Sequence, residues 1–378
     1  MLATFWKKFA LFTLPLGVLV GVPAVVLIAS GELTSTKSVI DRQLRGEPVL
    51  FGPVYTNLVK PFKCATTQRR QPEVIALGSS RVMQFRASFF DAPQTFYNAG
   101  GAVNTIVDVS PFLRCVPAAS RSPIVILALD QWFFNPRWQR DLGVPNFDET
   151  MDPLGVVQAR WKDVYTDLAH HKISFPRLWD AKDAVGLNAI MKQRGFRNDG
   201  SYSYGDLEHC DDCEVDFADT LQRIASGQRR FEWGADVDRL ALDEVDRVLE
   251  VAAANNIQVV GLLPPFAPSV WSHLRASDRY GYIDALRIQL PAVFARRGRH
   301  LFDFSDPDSI GAVDAEFIDG FHGSERTYVR MLLKMAAATP ALESRLSRAS
   351  LVERLARAGR YGVPDAAGPT AGGGAGSR

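Results

Sequence analysis

A serine, an aspartate and a histidine in this sequence have the types and positions that acyl-transfer chemistry requires. Ser80 follows a glycine–serine pair, directly after the short apolar run 74–77. Asp319 and His322 stand three residues apart, just before a predicted helix. A serine hydroxyl becomes a nucleophile when a histidine accepts its proton and a carboxylate orients that histidine. We therefore predict that Ser80, Asp319 and His322 form a catalytic triad.

These positions lie on a predicted α/β framework. Short buried strands are predicted at 74–77, near 95–98, and at 124–129, 257–263 and 301–304. Helices that alternate with them are predicted at 104–115, 236–255, 280–296 and 325–338, with Leu240, Val245, Val248 and Val251 on one helical face. The alternation indicates a parallel sheet with helices on both faces. Sites in such sheets lie at the carboxyl ends of strands, where Ser80 falls.

The same residues also have purely structural interpretations. Ser79 and Ser80 could cap the turn that follows the strand. Asp319 could cap the helix that His322 enters, without any catalysis. Arg81, beside the candidate nucleophile, is predicted to pair with a surface carboxylate, and its alternative role is to hold an anionic group of a substrate.

The overall charge excludes one class of partner. The chain has 378 residues with 43 basic and 42 acidic side chains, a formal net charge of +1. Nucleic-acid binding normally requires a basic surface, so no nucleic-acid partner is predicted. No cofactor is implied, and no metal is assigned to the site.

The N-terminus predicts export. Lys7 and Lys8 precede an uncharged run from 9 to 30. About 20 apolar residues cross a ~30 Å hydrocarbon layer, and the leading lysines place the N-terminus in the cytoplasm. We predict one transmembrane helix that anchors an extracytoplasmic domain. The alternative is a cleaved signal peptide that ends near residue 30.

The four cysteines suit that compartment, because disulfides persist outside the cytoplasm. Cys64 precedes the first core strand and Cys115 ends the next helix, so we predict a Cys64–Cys115 bridge. Cys210 and Cys213 form a Cys-x-x-Cys in a polar loop. A local disulfide is favoured there over a redox motif or half of a zinc site.

The chain divides into four predicted segments. They are an anchor at 1–31, a stalk and entry segment at 32–70, an α/β domain at 71–345, and a helix end with a disordered tail at 346–378. The α/β domain contains an aromatic-rich insertion at 141–235. Its Trp and Tyr side chains are interpreted as core residues, with sugar-stacking platforms as the alternative.

Two motifs resemble those of SGNH (GDSL-like) hydrolases. Residues 78–80, Gly-Ser-Ser, stand where that family has Gly-Asp-Ser, and 319–322, Asp-Gly-Phe-His, match its final Asp-x-x-His block. The segment IALGSSR is similar to the nucleophile block of a membrane-anchored subgroup, which includes proteins of teichoic-acid D-alanylation and alginate O-acetylation. The resemblance covers roughly 72–135 and 236–338. It implies a three-layer, flavodoxin-like parallel sheet.

The resemblance also implies an oxyanion hole. The family's second block supplies a glycine N–H, and Gly101 is the candidate here. Its third block, Gly-x-Asn, is replaced by the sequence Asp-Gln-Trp-Phe-Phe-Asn at 130–135, in which Gln131 is the candidate donor and Asn135 the alternative. Loss of one donor costs ~10²–10³ in rate, so strong generic esterase activity is not expected.

From these features we expect a serine-dependent O-acyl esterase or transferase that acts on an exported cell-surface polysaccharide or glycopolymer. Its partners would be the acylated glycopolymer or an acyl donor, and a multispanning membrane acyltransferase. A catalytically weak binding or scaffold module of a polymer-modification or export complex is the alternative. A simple periplasmic lipase or esterase is a third hypothesis, and it would require an open apolar acyl groove.

Overall fold

A computed structural model of the chain describes residues 2–117, 122–138, 146–148, 152–209 and 215–365. Within these residues the chain forms two compact units. Unit 1 comprises Met1–Arg70 and Asn146–Asp206, and unit 2 comprises Gln71–Pro145 and Leu207–Arg378. The predicted insertion at 141–235 is therefore shared between the units, and all three residues of the predicted triad belong to unit 2.

The described residues form nine strands and fourteen helices. The strands are β1 (Leu50–Phe51), β2 (Val74–Gly78), β3 (Phe96–Gly100), β4 (Ile124–Ala128), β5 (Ala184–Val185), β6 (Arg194–Phe196), β7 (Tyr202–Tyr204), β8 (Gln258–Leu263) and β9 (His300–Asp303). The helices are α1 (Leu2–Ala29), α2 (Thr36–Leu44), α3 (Val59–Arg70), α4 (Val109–Leu113), α5 (Pro153–Ala169), α6 (Phe175–Asp180), α7 (Leu187–Lys192), α8 (Ala218–Ser226), α9 (Arg239–Ala254), α10 (Pro268–Ala276), α11 (Gly281–Arg296), α12 (Glu325–Ala337), α13 (Pro340–Glu343) and α14 (Arg348–Ala356).

Unit 2 is built on a five-stranded sheet with the order β3-β2-β4-β8-β9. All four pairings are parallel, so the carboxyl ends of the strands share one edge. Every residue of β2, β3 and β4 is buried, as expected for strands covered on both faces. The predicted α/β class and parallel sheet are confirmed.

The helices of unit 2 begin and end close to their predicted positions, with two differences. Val245 and Val248 of α9 are fully buried, but Leu240, predicted on the same face, is 76% exposed. At 3.6 residues per turn, Leu240 lies about 140° around the helix axis from Val245, so it points away from the buried side of α9, to which the next residue, Ala241, already belongs. The predicted helix at 104–115 is instead a 3-10 turn followed by the short helix α4.

Unit 1 contains a smaller sheet with the order β5-β1-β6-β7. Its strands are only two or three residues long. Residues 32–70, predicted as a stalk and entry segment, form α2, β1 and α3 within this unit. The first helix, α1, contributes Val26 and Leu27 to the unit 1 core, where both side chains are fully buried.

α1 is bent. Its segments Thr4–Pro15 and Gly17–Ala29 meet at 44°, and only together are they long and apolar enough to cross a membrane. No single helix among the described residues meets that requirement. Pro23 lies inside α1 and has no N–H, so the Leu19 carbonyl lacks its helical donor. The Tyr165 hydroxyl of α5 donates to this carbonyl at 3.0 Å.

Candidate active site

Ser80 lies at the carboxyl end of β2, at the sheet edge where the parallel strands end. It begins the 3-10 turn Ser80–Val82, and the Ser79 hydroxyl accepts the Arg81 N–H at 3.1 Å. Glycine at the end of β2 and β3 allows the turn to pass close by. A Cβ on Gly100 would lie 2.8 Å from the Met83 side chain and 2.9 Å from that of Val82, closer than such atoms normally approach.

The structure brings Ser80, His322 and Asp319 into one hydrogen-bonded chain. The Ser80 Oγ lies 2.7 Å from His322 Nε2, and Asp319 Oδ2 lies 2.7 Å from His322 Nδ1. With a proton on Nδ1, the imidazole donates to the carboxylate, and the unprotonated Nε2 can accept the serine proton. The capping roles considered for Ser80 and Asp319 do not account for these two contacts.

A tight loop holds the acid and the base. Asp319 Oδ1 accepts the backbone N–H of His322 at 3.0 Å and that of Phe321 at 3.3 Å. Gly320, which follows Asp319, has a φ of +93°, a backbone conformation that favours glycine. The Ile318 N–H donates to the His322 carbonyl at 2.9 Å, which closes the loop. The Asp-x-x-His spacing thus places both side chains on one side of a turn.

The loop also keeps Asp319 ionised. Burial by itself would raise the pKa of Asp319, but the charge of the His322 ring and the hydrogen bonds from His322 and Phe321 outweigh it. The net result is a pKa below the usual range of an aspartate. An ionised carboxylate in this position stabilises the imidazolium that forms when Ser80 loses its proton.

Arg81 is not at the surface, so the predicted pairing with a surface carboxylate is wrong. Its side chain is fully buried, and its Nη1 lies 3.6 Å from the equally buried Asp130 carboxylate. Burial lowers the pKa of the Arg81 guanidinium, and Asp130 opposes this. Burial likewise raises the pKa of Asp130, with Arg81 opposing. Each charge therefore depends on the other.

The Arg81 guanidinium collects acceptors from several chain segments. It donates to the Phe321 carbonyl at 3.0 Å, to the Pro264 and Pro265 carbonyls at 3.0 and 2.6 Å, and to Gln131 Oε1 at 2.7 Å. Its planar fork matches such an array. Arg81, which directly follows the candidate nucleophile, is thus hydrogen-bonded to the loops that follow β4 and β8 and to the loop that carries Asp319 and His322. The sequence analysis did not predict this role for Arg81, because main-chain acceptors leave no trace in side-chain identity.

Gly101 and Gln131, the candidate oxyanion donors, make other hydrogen bonds. The Gly101 N–H donates to the carbonyls of Gly78 and Ser79 at 3.0 and 3.1 Å. The Gln131 amide is fully buried and donates to the Pro264 carbonyl and to Ser305 Oγ, both at 2.8 Å. Neither group is oriented toward the triad as a free donor. The Ser80 N–H, at the start of a 3-10 turn, belongs to the groups that have no partner within a helix.

Aromatic rings surround the imidazole. The Phe321 ring lies 4.4 Å from the His322 ring, and Trp132 and Phe231 pack against Phe321 at 6.0 and 5.7 Å. The half-buried Arg230 stacks its guanidinium over Trp132 at 5.7 Å. These rings cover most of the imidazole, whose side chain is 13% exposed. Trp132 and Phe321 flank predicted site residues in the sequence, which is the signal that could have identified them.

The remaining site predictions concern cysteines and metals. Cys64 and Cys115 are disulfide-bonded, as predicted. Cys210 and Cys213 lie outside the described residues. Among the described residues, no group of three or more His, Cys, Asp or Glu side chains could hold a metal ion. Searches against protein families and against curated proteins find no match to this chain.

Proposed function

We propose that this protein is a serine-dependent O-acyl esterase or transferase. The observation that carries the proposal is the contact of Ser80 Oγ with His322 Nε2 at 2.7 Å, with Asp319 on the opposite ring nitrogen at 2.7 Å. Ser80, which is 242 positions away from His322 in sequence, joins the His322–Asp319 pair in the order nucleophile, base and orienting acid. That order is required for acyl transfer through a covalent intermediate.

In the first step, Ser80 Oγ attacks the carbonyl carbon of an acyl ester while His322 Nε2 takes the serine proton. The bond between this carbon and the leaving oxygen breaks, and the proton passes from Nε2 to the leaving alkoxide. Asp319 holds the Nδ1 proton throughout. The Ser80 N–H stabilises the negative charge on the carbonyl oxygen.

In the second step, water or a sugar hydroxyl attacks the acyl–Ser80 ester. His322 takes the proton of the attacking oxygen and returns a proton to Ser80 Oγ as the ester bond breaks. Water as acceptor gives an esterase, and a sugar hydroxyl gives a transferase. No cofactor takes part in this scheme.

The substrate class rests on the resemblance to SGNH hydrolases and on the anchored topology, and the location rests on the apolar run that follows Lys7 and Lys8. It supports a three-layer, flavodoxin-like fold, a cell-surface polysaccharide or glycopolymer as substrate, and a multispanning acyltransferase as partner. We place the domain outside the cytoplasm, anchored by α1 with the N-terminus inside. The full burial of Val26 and Leu27 supports an anchor that is retained over a signal peptide that is cleaved near residue 30.

One observation favours the second candidate function, a catalytically weak binding or scaffold module. The N–H of Gly101 and the amide of Gln131 both donate to protein acceptors, so one main-chain donor, that of Ser80, is left for the oxyanion. Removal of one such donor costs ~10²–10³ in rate. The scaffold function therefore predicts an intact triad geometry with little turnover.

The release of p-nitrophenol from p-nitrophenyl acetate by the full chain in detergent tests the proposal. Turnover that disappears in Ser80→Ala and in His322→Ala supports a catalytic triad. Matched controls are Ser272→Ala and His273→Ala, which change an exposed serine and an exposed histidine on α10. An active enzyme that is equally impaired by the control substitutions, or unaffected by Ser80→Ala, contradicts the proposal. A folded wild type without turnover supports the scaffold function.

A further inference from the structure

A second group of side chains has no part in this chemistry. Four large apolar residues on α5 and α6 of unit 1 are exposed: Leu154, Trp161, Phe175 and Trp179. Leu154 is 81% exposed and Trp179 is 66% exposed. We call these four residues the seating surface. Groups of exposed apolar residues on adjacent elements indicate an interaction site.

The seating surface lies beside α1. Phe175 lines an apolar groove of about 900 Å³ that runs along α1 and includes Leu11 and Val18. Trp179 follows Phe175 by one helical turn, so both side chains lie on the same side of α6. The surface is therefore continuous with the apolar side of the N-terminal helix.

Helix α5 contacts α1 beside the same groove. The Trp161 and Tyr165 rings are in edge contact at 6.3 Å. The Tyr165 hydroxyl donates to the Val18 and Leu19 carbonyls at 3.1 and 3.0 Å. Lys162 places its ammonium 5.6 Å from the centre of the Trp161 ring. Trp and Tyr with a flanking lysine are the side chains that collect at membrane–water interfaces.

The length of α1 shows what this surface contacts. The uncharged run begins at Phe9, after Lys7 and Lys8, and up to Val20 every large apolar side chain that the structure describes is at least 45% exposed. Twelve residues of helix extend about 18 Å, whereas the hydrocarbon layer is ~30 Å thick. Beyond Val20 only one side of α1 stays exposed, at Val25 and Ile28, while Val26 and Leu27 are buried in unit 1. The fully exposed part of the helix therefore leaves about 12 Å of the layer uncrossed. Interfacial helices penetrate ~5–10 Å into a bilayer, which covers most of this deficit.

We propose that the seating surface inserts Trp161, Phe175 and Trp179 into the outer leaflet of a phospholipid bilayer, beside α1. Unit 1 then serves as the membrane-facing unit of the protein, and the part of the predicted insertion that it contains is a lipid-docking element. Lipid acyl chains fill the groove along α1. The inference requires α1 to enter a membrane, but it does not depend on the reaction proposed for Ser80.

Quenching of tryptophan emission in lipid vesicles tests the proposal. The full chain is reconstituted into phosphatidylcholine–phosphatidylglycerol vesicles whose acyl chains carry bromine, a short-range quencher. Emission is compared for wild type, Trp161→Phe/Trp179→Phe, Trp6→Phe and Trp233→Phe. Trp6 lies on the exposed N-terminal part of α1, and Trp233 is a partly buried residue of unit 2.

We expect the bromine-quenchable emission to fall in Trp161→Phe/Trp179→Phe and to stay unchanged in Trp233→Phe. Loss of quenchable emission in Trp6→Phe shows independently that α1 is inserted. If Trp6 is quenched while the Trp161→Phe/Trp179→Phe variant loses none of the quenchable emission, the proposal is overturned. Access of aqueous acrylamide to Trp161 and Trp179 in these lipid vesicles, which contain no other protein, also overturns it and would indicate a helix of another membrane protein as the occupant.

Discussion

The Arg81 guanidinium lies 3.6 Å from the Asp130 carboxylate, and both side chains are fully buried. Removal of one partner of a buried pair costs ~3–5 kcal/mol, because the other charge remains without compensation. We expect Arg81→Met to lower the free energy of unfolding by this amount in urea titrations. Addition of Asp130→Asn should recover part of the loss.

Arg357→Met is the control for this prediction, since Arg357 forms an exposed pair with Glu353 and should lose less than ~1 kcal/mol. The prediction fails if the losses of Arg81→Met and Asp130→Asn simply add in the double variant. Additivity would mean that the two charges do not depend on each other.

The contribution of Asp319 to the free energy of unfolding should depend on pH. Because its pKa in the folded protein is below the usual value, its ionised form stabilises the fold at every pH above ~3.9, the ordinary aspartate value. That stabilisation is lost as the pH falls through the folded pKa. We expect Asp319→Asn to be less stable than wild type by about 1 kcal/mol at neutral pH, a value reduced for the partial exposure of the carboxylate.

The difference between wild type and Asp319→Asn should shrink as the pH is lowered below ~4 in urea titrations. Asp278→Asn, which changes an exposed aspartate, provides the baseline. A difference that stays constant from pH 7 to pH 3 would show that the Asp319 charge contributes nothing.

Glu32 should show the opposite dependence. Its carboxylate is 1% exposed, and it accepts hydrogen bonds from three backbone N–H groups, those of Val54, Tyr55 and Leu187. Burial outweighs these bonds and raises the pKa of Glu32. Its protonated form is therefore favoured by folding, and this contribution is complete below ~4.3 and lost as the pH rises through the folded pKa.

We thus expect wild type to lose stability relative to Glu32→Gln as the pH rises above ~4.3, since glutamine does not titrate. Urea titrations across pH 4 to 8 measure the slope. Glu353→Gln, at an exposed carboxylate, should run parallel to wild type. Parallel curves for wild type and Glu32→Gln would refute the prediction.

Two neighbouring residues of α1 allow packing against the protein core to be distinguished from exposure on the outer side of the helix. Leu27 is fully buried in unit 1, whereas Ile28 is 67% exposed. Leu27→Ala should cost ~2–5 kcal/mol through a core cavity, and Ile28→Ala less than ~0.5 kcal/mol. Thermal unfolding of the full chain in detergent measures both, and equal losses would show that α1 does not belong to the core.

The strands of unit 2 and the approach of Ser80 to His322 could be predicted because each depends on local patterns. Short apolar runs ending in glycine or proline locate the parallel strands, and parallel strands bring their carboxyl ends to one edge. The hydrogen bond between Ser80 and His322 spans 242 positions. Strand-end logic locates Ser80, but His322 lies well beyond the last strand, β9, so its pairing with Ser80 is anticipated from the chemistry of a triad and the Asp-x-x-His spacing.

Arg81 and Leu27 were misjudged or missed for different physical reasons. The acceptors of Arg81 are largely main-chain carbonyls, including those of Pro264 and Pro265, which no side-chain pattern reveals. Leu27 belongs to an apolar run, and hydropathy does not distinguish a lipid environment from a protein core. Strands of two or three residues, such as those of unit 1, are too short to show a period.

The hydrogen bond between Tyr165 and the Val18 carbonyl spans 147 positions. On the ribosome, chain growth at ~5–20 residues per second separates the synthesis of these two residues by roughly 7–30 s. For most of that interval Val26 and Leu27 have been synthesised while Val164, a core neighbour in unit 1, does not yet exist. Unit 1 is therefore completed late in biosynthesis, and a nascent chain that stops before residue 164 presents an unpacked apolar helix to chaperones and to the translocation machinery.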